Sequence, residues 1–432
     1  HHGEASLNGA IVNMAQNFVG SNNINLLEPN GQFGTRLHGG DDSASERYIF
    51  TQLNTLTRSI FPYTDDSVLQ YLSDDGTTVE PEYYVPIIPF ALINGISGIG
   101  TGFSCNIASY NPLTIVDYLT KKLTNKSTQT IEFVPYYEGF KGTVQRIVDK
   151  KYLIKGVYEK IAEDKIRITE LPIGTWTMPY TTFMESLMDG TSKTGKKVTA
   201  SIRDFTSIST EVSVDITVVF PRGSLRELEE SIDEYGCNGV HKTLKLSTTI
   251  SATNMHMFNK DCRLHKYDSI EEIADEFYDV RLGVYHKRKE FLIKNMNHKL
   301  IRLSNRARYI QENLKGSIDL RRKKTNQVTE LLEGMKFDKI DDDYKYLVKM
   351  PMDSVTDENV ASIMKEKDDT QMELTVLTNT TLEQMWLGEL ATFKKNYMTY
   401  RQKREKIQAG QVKPAAAGKK VTKSNVLKIK KK

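Results

Sequence analysis

Apolar and polar residues alternate with a different period in each of three parts of this 432-residue chain. In the first part, up to about residue 108, one amphipathic helix stands out because apolar residues recur at spacings of four, three and four. These residues are Leu7, Ile11, Met14 and Phe18. The rest of this part is rich in glycine, asparagine and serine, a composition typical of turns and short strands.

The second part, from about residue 109 to 265, shows the period of two that is typical of half-buried strands. Strict alternation of apolar and polar residues predicts strands over 142–148, 165–171 and 212–218. Together with intervening helical segments, these strands indicate an α+β fold. No glycine-rich loop of the kind that binds nucleotide phosphates is recognisable in this part.

The third part, from about residue 269 to 400, has helical periodicity throughout. A helix over 269–314 would be about 69 Å long at 1.5 Å per residue, which favours a coiled coil or a projecting arm. An ordinary helical bundle is the alternative interpretation. A second apolar series predicts a helix that returns alongside the first, and its residues are Val360, Ile363, Leu374 and Leu377.

The last predicted helix begins at a capping box over Thr380–Glu383 and carries three apolar residues on one face. These residues are Trp386, Leu390 and Phe393. Residues 401–432 are lysine-rich and of low complexity, which predicts a disordered tail.

Composition excludes several classes of protein. No run approaches the roughly 18 consecutive apolar residues of a membrane helix. The cysteines lie far apart and form no CxxC pair, so neither a disulfide framework nor a cysteine-based zinc site is expected. They are Cys105, Cys237 and Cys262.

Charge is distributed unevenly along the chain although its formal net value is only +4. Residues 401–432 carry +11, whereas residues 1–110 carry −8. An acidic body with a basic tail would not by itself suggest a nucleic-acid-binding protein. The sequence opens at His1 without a methionine or signal peptide, so we expect the start to be a cut inside a larger polypeptide.

The adjacent residues Arg47 and Tyr48 form the main candidate for catalytic chemistry. A tyrosine hydroxyl is a poor nucleophile at neutral pH unless its anion is stabilised, and a neighbouring guanidinium can do so. Adjacent residues on a regular strand point to opposite faces, so convergence requires an irregular loop. Because the chain has 21 tyrosines, surface or strand packing is the simpler interpretation of the pair.

Pairs of acidic residues occur at several places, and we interpret them as solvated loops, so no metal site is predicted in this chain. These groups are Asp41-Asp42, Asp65-Asp66, Asp74-Asp75 and Asp341-Asp342-Asp343.

Several longer motifs resemble one protein family. The sequence HHGE at 1–4, AQNFVGSNN at 15–23 and GQFGTRLHGG at 31–40 is similar to the DNA-cleavage core of eukaryotic-type type IIA DNA topoisomerases (DNA topoisomerase II). The resemblance extends to about residue 400. Further matching segments are DSAS at 42–45, RYIF at 47–50, GIGTG at 98–102, ELP at 170–172, TWT at 175–177, Lys242, KL at 245–246, YL at 346–347 and MP at 350–351. Bacterial gyrase and topoisomerase IV subunits share the Arg-Tyr arrangement but look less similar around it.

The resemblance implies catalytic roles for residues of the first part. Tyr48 would attack a DNA phosphodiester and become joined to the 5′ end of the cut strand. Arg47 would stabilise the transition state, while His2, with His1 beside it, would hold the scissile phosphate. Ile99 matches the apolar wedge that enters between base pairs and bends the duplex. Its position between two glycines suggests that it is displayed, although a buried strand residue is the alternative.

The resemblance also implies DNA contacts away from the nucleophile. They would involve Arg36, Lys242, Lys245, Thr248 and Asn254. Two departures from the family add negative charge near the nucleophile: Asp41 stands where lysine is common, and Glu46 stands where proline is frequent.

The implied architecture is a multidomain α+β protein with four segments. They are the C-terminal part of a winged-helix DNA-gate domain (1–108), a tower-like α+β domain that flanks DNA (109–265), a coiled-coil arm with a helical dimerisation gate (266–400) and a basic disordered tail (401–432).

The resemblance implies ATP-dependent passage of one DNA duplex through another by a homodimer, without a membrane partner. Mg²⁺ and ATP would be bound by upstream parts absent from this chain, and a basic helix-turn-helix just upstream would account for the acidic balance of residues 1–110. The nucleus is the expected compartment, or a cytoplasmic viral factory if the source is a large DNA virus. The competing interpretation is a non-catalytic architectural DNA-binding dimer, and a bacterial-type gyrase A protein is a third.

Overall fold

The computed structural model describes residues 3–190, 199–321, 323–351 and 355–410. Its helices are α1 (Glu4–Ala15), α2 (Thr57–Ile60), α3 (Phe90–Asn94), α4 (Pro112–Leu123), α5 (Thr177–Met188), α6 (Ser224–Glu230), α7 (Gly239–Thr243), α8 (Ile270–Leu314), α9 (Thr325–Gly334), α10 (Lys345–Val348), α11 (Asp357–Asn379) and α12 (Leu382–Gln408). Its strands are β1 (Tyr71–Asp74), β2 (Thr77–Pro81), β3 (Ile96–Gly100), β4 (Phe103–Ile107), β5 (Thr143–Val148), β6 (Lys151–Lys155), β7 (Val157–Ala162), β8 (Lys165–Glu170), β9 (Asp204–Ser207), β10 (Ile216–Val219), β11 (Ser247–Ser251), β12 (His256–Phe258) and β13 (Leu264–Lys266). The predicted α+β class is confirmed.

The chain forms two compact units. The first comprises His1–Pro62, Pro86–Asp279 and Glu389–Lys432, and the second comprises Tyr63–Val85 and Val280–Gly388. The four-segment division of the sequence remains a prediction.

A four-stranded antiparallel sheet in the first unit has the order β7-β8-β10-β9. Ile168 lies opposite Ile216 in this sheet, and Ile166 lies opposite Val218. These four side chains share one face and pack in a core to which Met184 of α5 also contributes. Alternate burial along β8 is therefore the physical cause of the period of two in its sequence.

Two of the three predicted strands are confirmed as β5 and β8. The third begins later than predicted, at Ile216. Before it, the backbone N–H of Thr210 donates to the carbonyl oxygen of Ser213 at 2.9 Å, and the Thr210 hydroxyl accepts from the Ser213 N–H at 3.1 Å. Local hydroxyl bonds of this kind favour a turn over a strand ladder.

The long helix predicted over 269–314 is confirmed as α8, and the returning apolar series lies in α11. The first helix ends at Ala15, so Phe18 lies outside it. In the second unit, Leu303 and Ile310 of α8 pack in one cluster with Ile363 of α11.

The start of α12 differs from the predicted capping box by one residue. The Thr381 hydroxyl accepts from the N–H of Gln384 at 3.2 Å, and the Gln384 side chain accepts from the N–H of Thr381 at 2.9 Å. The prediction of a disordered tail from residue 401 was also wrong where the structure describes it, because α12 runs to Gln408. The rest of that tail, 411–432, lies outside the described residues.

Asp65 is buried in the second unit, so its interpretation as part of a solvated loop was wrong. Its two carboxylate oxygens accept from Arg281 at 2.6 Å and from Arg288 at 3.1 Å. Both guanidinium groups also lie over the ring of Tyr285, at 4.2 and 4.5 Å from its centroid. Because buried charges must be paired, this carboxylate holds the segment around residue 65 against α8.

Within the ranges given above, no helix is both long enough and apolar enough to cross a membrane.

We expect Asp65→Asn to lower the free energy of unfolding by about 3–5 kcal/mol, because it leaves two buried guanidinium groups without their carboxylate. Urea unfolding followed by circular dichroism measures the change. Asp74→Asn is the matched control, since Asp74 lies on an exposed hairpin. Equal stability of the two variants would contradict this role of Asp65.

Candidate functional site

Tyr48 ends a short 3-10 turn, Glu46–Tyr48, and its side chain is 68% exposed. The Tyr48 N–H donates to the carbonyl oxygen of Ser45 at 2.9 Å, which closes the turn. The Arg47 guanidinium carbon lies 5.7 Å from the centre of the Tyr48 ring. The irregular backbone expected for an Arg-Tyr pair that acts together is confirmed.

The preceding loop folds back on itself at Gly34. A Cβ atom at this position would lie 2.5 Å from the carbonyl oxygen of Gly40, and the residue has a φ of +100°. Only glycine tolerates both conditions. The N–H of Gly40 donates to the carbonyl oxygen of Thr35 at 3.0 Å, and that of Ala44 donates to the carbonyl oxygen of Gln32 at 2.9 Å.

Asp42 holds this loop together, so its interpretation as a solvated residue was wrong. Its carboxylate accepts from the N–H of Thr35 at 2.8 Å and from the Thr35 hydroxyl at 2.6 Å. Partial burial acts to raise the pKa of Asp42, but these hydrogen bonds outweigh burial and leave the pKa below its usual value of 3.8.

Two buried polar side chains attach the loop to the rest of the first unit. Gln16 donates through Nε2 to the carbonyl oxygen of Phe33 at 3.0 Å and to that of Gly40 at 3.3 Å. Arg36 forms a buried ion pair with Glu170 at the end of β8. The guanidinium of Arg36 therefore faces the protein interior, and DNA contact by this residue stays a prediction that requires the pair to open.

Helix α5 receives the other side of the loop. The N–H of Met178 donates to the carbonyl oxygen of Leu37 at 2.9 Å. The rings of Trp176 and Phe18 meet edge to face with centroids 5.6 Å apart. A Cβ on Gly39 would lie 2.3 Å from the Trp176 ring, so glycine is required there too. Motifs that are far apart in the sequence, at 15–23, 31–40 and 170–177, thus meet at one place.

Ile99 lies on the hairpin formed by β3 and β4 and is 94% exposed. Its predicted display is confirmed. Asn254 supports the hairpin by donating to the Ser104 hydroxyl at 2.9 Å and by accepting through its carbonyl oxygen from the N–H of Asn106 at 2.8 Å. The structure thus brings one predicted DNA contact, Asn254, to the base of the predicted wedge.

The remaining predicted DNA contacts lie near one another in sequence but differ in environment. Lys242 is exposed and lies 3.4 Å from a carboxylate oxygen of Asp233. The Lys245 ammonium lies 3.9 Å from the centre of the Phe183 ring. Thr248 is half-buried in β11.

A second polar cluster connects α12 to the segment that follows α1. Asn23 is buried and donates to the carbonyl oxygens of Ile93 and Tyr136 at 2.8 and 3.0 Å. Its own side-chain oxygen accepts from the N–H of Glu138 at 2.8 Å. The Glu138 carboxylate accepts in turn from the Tyr397 hydroxyl of α12 at 2.7 Å. Sequence reasoning missed Glu138 and Tyr397, because no local pattern distinguishes them.

His1 and His2 lie outside the described residues. Among the residues that are described, no group of three or more histidine, cysteine, aspartate or glutamate side chains is arranged to hold a metal ion.

Residues 1–391 match the family model of the gyrase A type, which describes the A chains of DNA gyrase and topoisomerase IV. The chain belongs to this family. The chain is also 34% identical to a crystal structure of the Plasmodium falciparum topoisomerase II DNA-binding, cleavage and re-ligation domain, with a TM-score of 0.83 over 96% of this chain and 57% of that chain. The resemblance to the cleavage and religation core of eukaryotic type II topoisomerases is therefore confirmed.

Eukaryotic relatives support the same assignment. The chain is 39% identical to DNA topoisomerase 2 of Arabidopsis thaliana, over 91% of this chain and 29% of that protein. It is 36% identical to human DNA topoisomerase 2-beta, over 99% of this chain and 28% of that protein. The chain thus spans less than a third of the length of these relatives.

Asp42→Ala removes the acceptor of both Thr35 hydrogen bonds in this family member, so we expect the free energy of unfolding to fall by on the order of 1–2 kcal/mol at pH 7. Because the folded-state pKa is lowered, the stabilisation is present above the unfolded pKa and is lost as the pH falls through the folded pKa, below 3.8. Urea titrations at several pH values measure both effects. Asp41→Ala, at an exposed neighbour, is the control, and an equal loss there would contradict the assignment.

Proposed function

We propose that this chain is the DNA cleavage and religation part of a type II DNA topoisomerase that passes one duplex through a transient break in another. The observation that carries the proposal is the exposed Tyr48 hydroxyl-bearing ring beside Arg47 on an irregular turn, in a chain that belongs to a topoisomerase family. The buried supports at Gln16 and Asp42 hold that turn in a defined place.

The proposed reaction is a reversible transfer of a phosphoryl group. The Tyr48 oxygen attacks the phosphorus and loses its proton, a new phosphorus–oxygen bond forms to the 5′ end, and the bond to the 3′ oxygen breaks. The 3′ oxygen leaves as a hydroxyl after it takes up a proton. Religation is the reverse attack by that hydroxyl, so the energy of the phosphodiester is conserved. Arg47 stabilises the charge on the phosphoryl group, and His2, with His1 beside it, holds the phosphate.

DNA recognition is proposed for the exposed hairpin and the segment below it. Ile99 has no side-chain burial to lose on leaving water and is placed to insert between base pairs. Lys242 and Lys245 would neutralise phosphates at the flanks, with Thr248 and Asn254 contributing hydrogen bonds. Arg36 would join them only if its ion pair with Glu170 opened.

The finer architecture is part of the proposal. Residues 1–108 would belong to a winged-helix DNA-gate domain and 109–265 to a tower-like domain. Residues 266–400 would form a coiled-coil arm with a gate at which two copies meet around a twofold axis. The packing of α8 against α11 supports two antiparallel helices in that arm.

Mg²⁺ and ATP are the proposed cofactors of the whole enzyme. The described residues contain no cluster of acidic or other ligands that fits a metal ion. Both cofactors would therefore be held by other parts of a longer polypeptide, in keeping with the share of the relatives that this chain spans.

The nucleus is the proposed compartment, because the named curated relatives are eukaryotic enzymes that act on DNA. A viral source and a cytoplasmic factory stay predictions. The competing function, a non-catalytic architectural dimer, is not favoured, because it gives no reason for an exposed tyrosine beside an arginine on a turn held by buried polar groups.

Tyr48→Phe tests the reaction in the full-length polypeptide. We expect the variant to bind duplex DNA normally but to form no covalent protein–DNA adduct when the reaction is stopped with denaturant, because phenylalanine has no oxygen to attack with. Gel analysis of labelled DNA measures adduct and binding separately. Tyr83→Phe, at another exposed tyrosine, should leave adduct formation unchanged. Persistent adducts in Tyr48→Phe would overturn the assignment of the nucleophile.

Ile99→Ala tests the proposed wedge. Because the side chain is 94% exposed, we expect the free energy of unfolding to change by less than about 0.5 kcal/mol. DNA bending, measured by energy transfer between fluorophores at the duplex ends, should fall strongly together with cleavage. Ile161→Ala replaces an exposed isoleucine outside this hairpin and should change neither quantity. Normal bending by Ile99→Ala would contradict the role.

A further inference from the structure

The first unit contains a cavity of about 620 Å³, a volume typical of small-molecule sites. One wall is formed by residues 28–36, which precede the Tyr48 turn, and another by the C-terminal half of α12. Phe18, Val19 and Leu56 add apolar surface. Nothing in the proposed reaction uses this cavity.

Arg404 of α12 lines the cavity and is only 4% exposed. Burial of a charge is costly unless the charge is paired. The other three buried arginines each have a carboxylate partner: Arg36 pairs with Glu170, and both Arg281 and Arg288 pair with Asp65.

No carboxylate pairs with Arg404 anywhere in the described part of the chain. Its Nη1 atom donates to the carbonyl oxygens of Asn22 and Asn23 at 2.9 and 2.8 Å, and to the Tyr400 hydroxyl at 3.1 Å. All three acceptors are neutral, so the positive charge is buried without a counter-ion. This is the opposite of what the other buried arginines show.

Two buried donors at the cavity lack acceptors among the residues that the structure describes. They are Nε of Arg404 and Nε2 of Gln408, one helical turn further along α12. Buried donors almost always have a partner. Residues four apart lie on the same face of a helix, so one ligand group can reach both.

We propose that this cavity binds a small organic acid with a flat apolar body, whose carboxylate is the missing counter-ion of Arg404. The carboxylate accepts hydrogen bonds from Arg404 Nε and Gln408 Nε2, and the apolar body lies against the aromatic and aliphatic wall. The acidic side chain of Glu28 also lines the cavity, but its carboxylate is engaged by Gln52 Nε2 at 2.9 Å.

The bound acid connects α12 to the segment that leads to the nucleophile. Asn30, in the cavity wall, exchanges backbone hydrogen bonds with Phe50 at 3.1 and 3.0 Å, and Phe50 lies two residues after Tyr48. A ligand that fills the cavity therefore stabilises one position of the Tyr48 turn. This regulatory consequence rests on the proposed function, whereas binding itself does not.

The test uses 2-naphthoate as the acid and its neutral amide, 2-naphthamide, as the matched probe, titrated calorimetrically into the full-length polypeptide. We expect 2-naphthoate to bind one site per chain with a Kd of about 1 mM or tighter, and the amide at least about tenfold more weakly because it lacks the charge. Equal binding of acid and amide, or no binding of the acid, would overturn the proposal. Absence of binding includes the case in which another segment of the longer protein fills the cavity.

Gln408→Glu provides an internal carboxylate one helical turn from Arg404. We expect it to weaken 2-naphthoate binding at least about tenfold and to raise the Tm of the ligand-free protein, since it supplies the missing counter-ion. Gln402→Glu makes the same change at an exposed position of α12 that does not line the cavity, and it should alter neither quantity. Unchanged binding and unchanged Tm in Gln408→Glu would each count against the proposal.

A second readout separates this proposal from the proposed function. Saturating 2-naphthoate should change the fraction of covalently trapped DNA at least about twofold in the wild type but not in Gln408→Glu. If the binding differences hold and Tyr48→Phe still forms adducts, the ligand site stands and the assigned nucleophile fails. If Tyr48→Phe forms no adducts and the acid does not bind, the reverse is true.

Discussion

The backbone around residues 31–48 carries few apolar side chains, so its position depends on hydrogen bonds from buried polar groups. Gln16 holds the two sides of the loop, Asp42 closes it, and Arg36 ties it to Glu170. Each of these side chains is satisfied by the loop itself or by the sheet beneath it. A turn that presents an exposed Tyr48 ring is stable only because its supports are buried.

The same requirement extends to α12, which comes from the far end of the sequence. Asn23 and Glu138 are both buried, and both are hydrogen bonded in a network that reaches Tyr397. A buried amide or carboxylate must be paired, so this network specifies how α12 lies against the segment after α1. Arg404 belongs to the same face of the helix but lacks the carboxylate that would complete its surroundings.

Periodic patterns predicted the regular elements well. The helix α8 and the strands β5 and β8 follow the residues that the alternation indicated, since apolar period and burial are two expressions of one geometry. The limits of prediction appear where hydrogen bonds between side chain and backbone compete with that period. The late start of β10 and the cap of α12 at Thr381 are both decided by hydroxyl groups.

The sequence by itself determined the irregular turn at Tyr48, the display of Ile99 and the motifs that resemble the topoisomerase core. These features depend on neighbours within a few residues, where steric rules for glycine and strand geometry act directly. Only the tertiary structure decided that Arg36 and Asp65 are buried and paired, and that Arg404 is buried without a carboxylate. The partner of a charged side chain can lie more than a hundred residues away, and no local pattern records which acid and base the fold brings together.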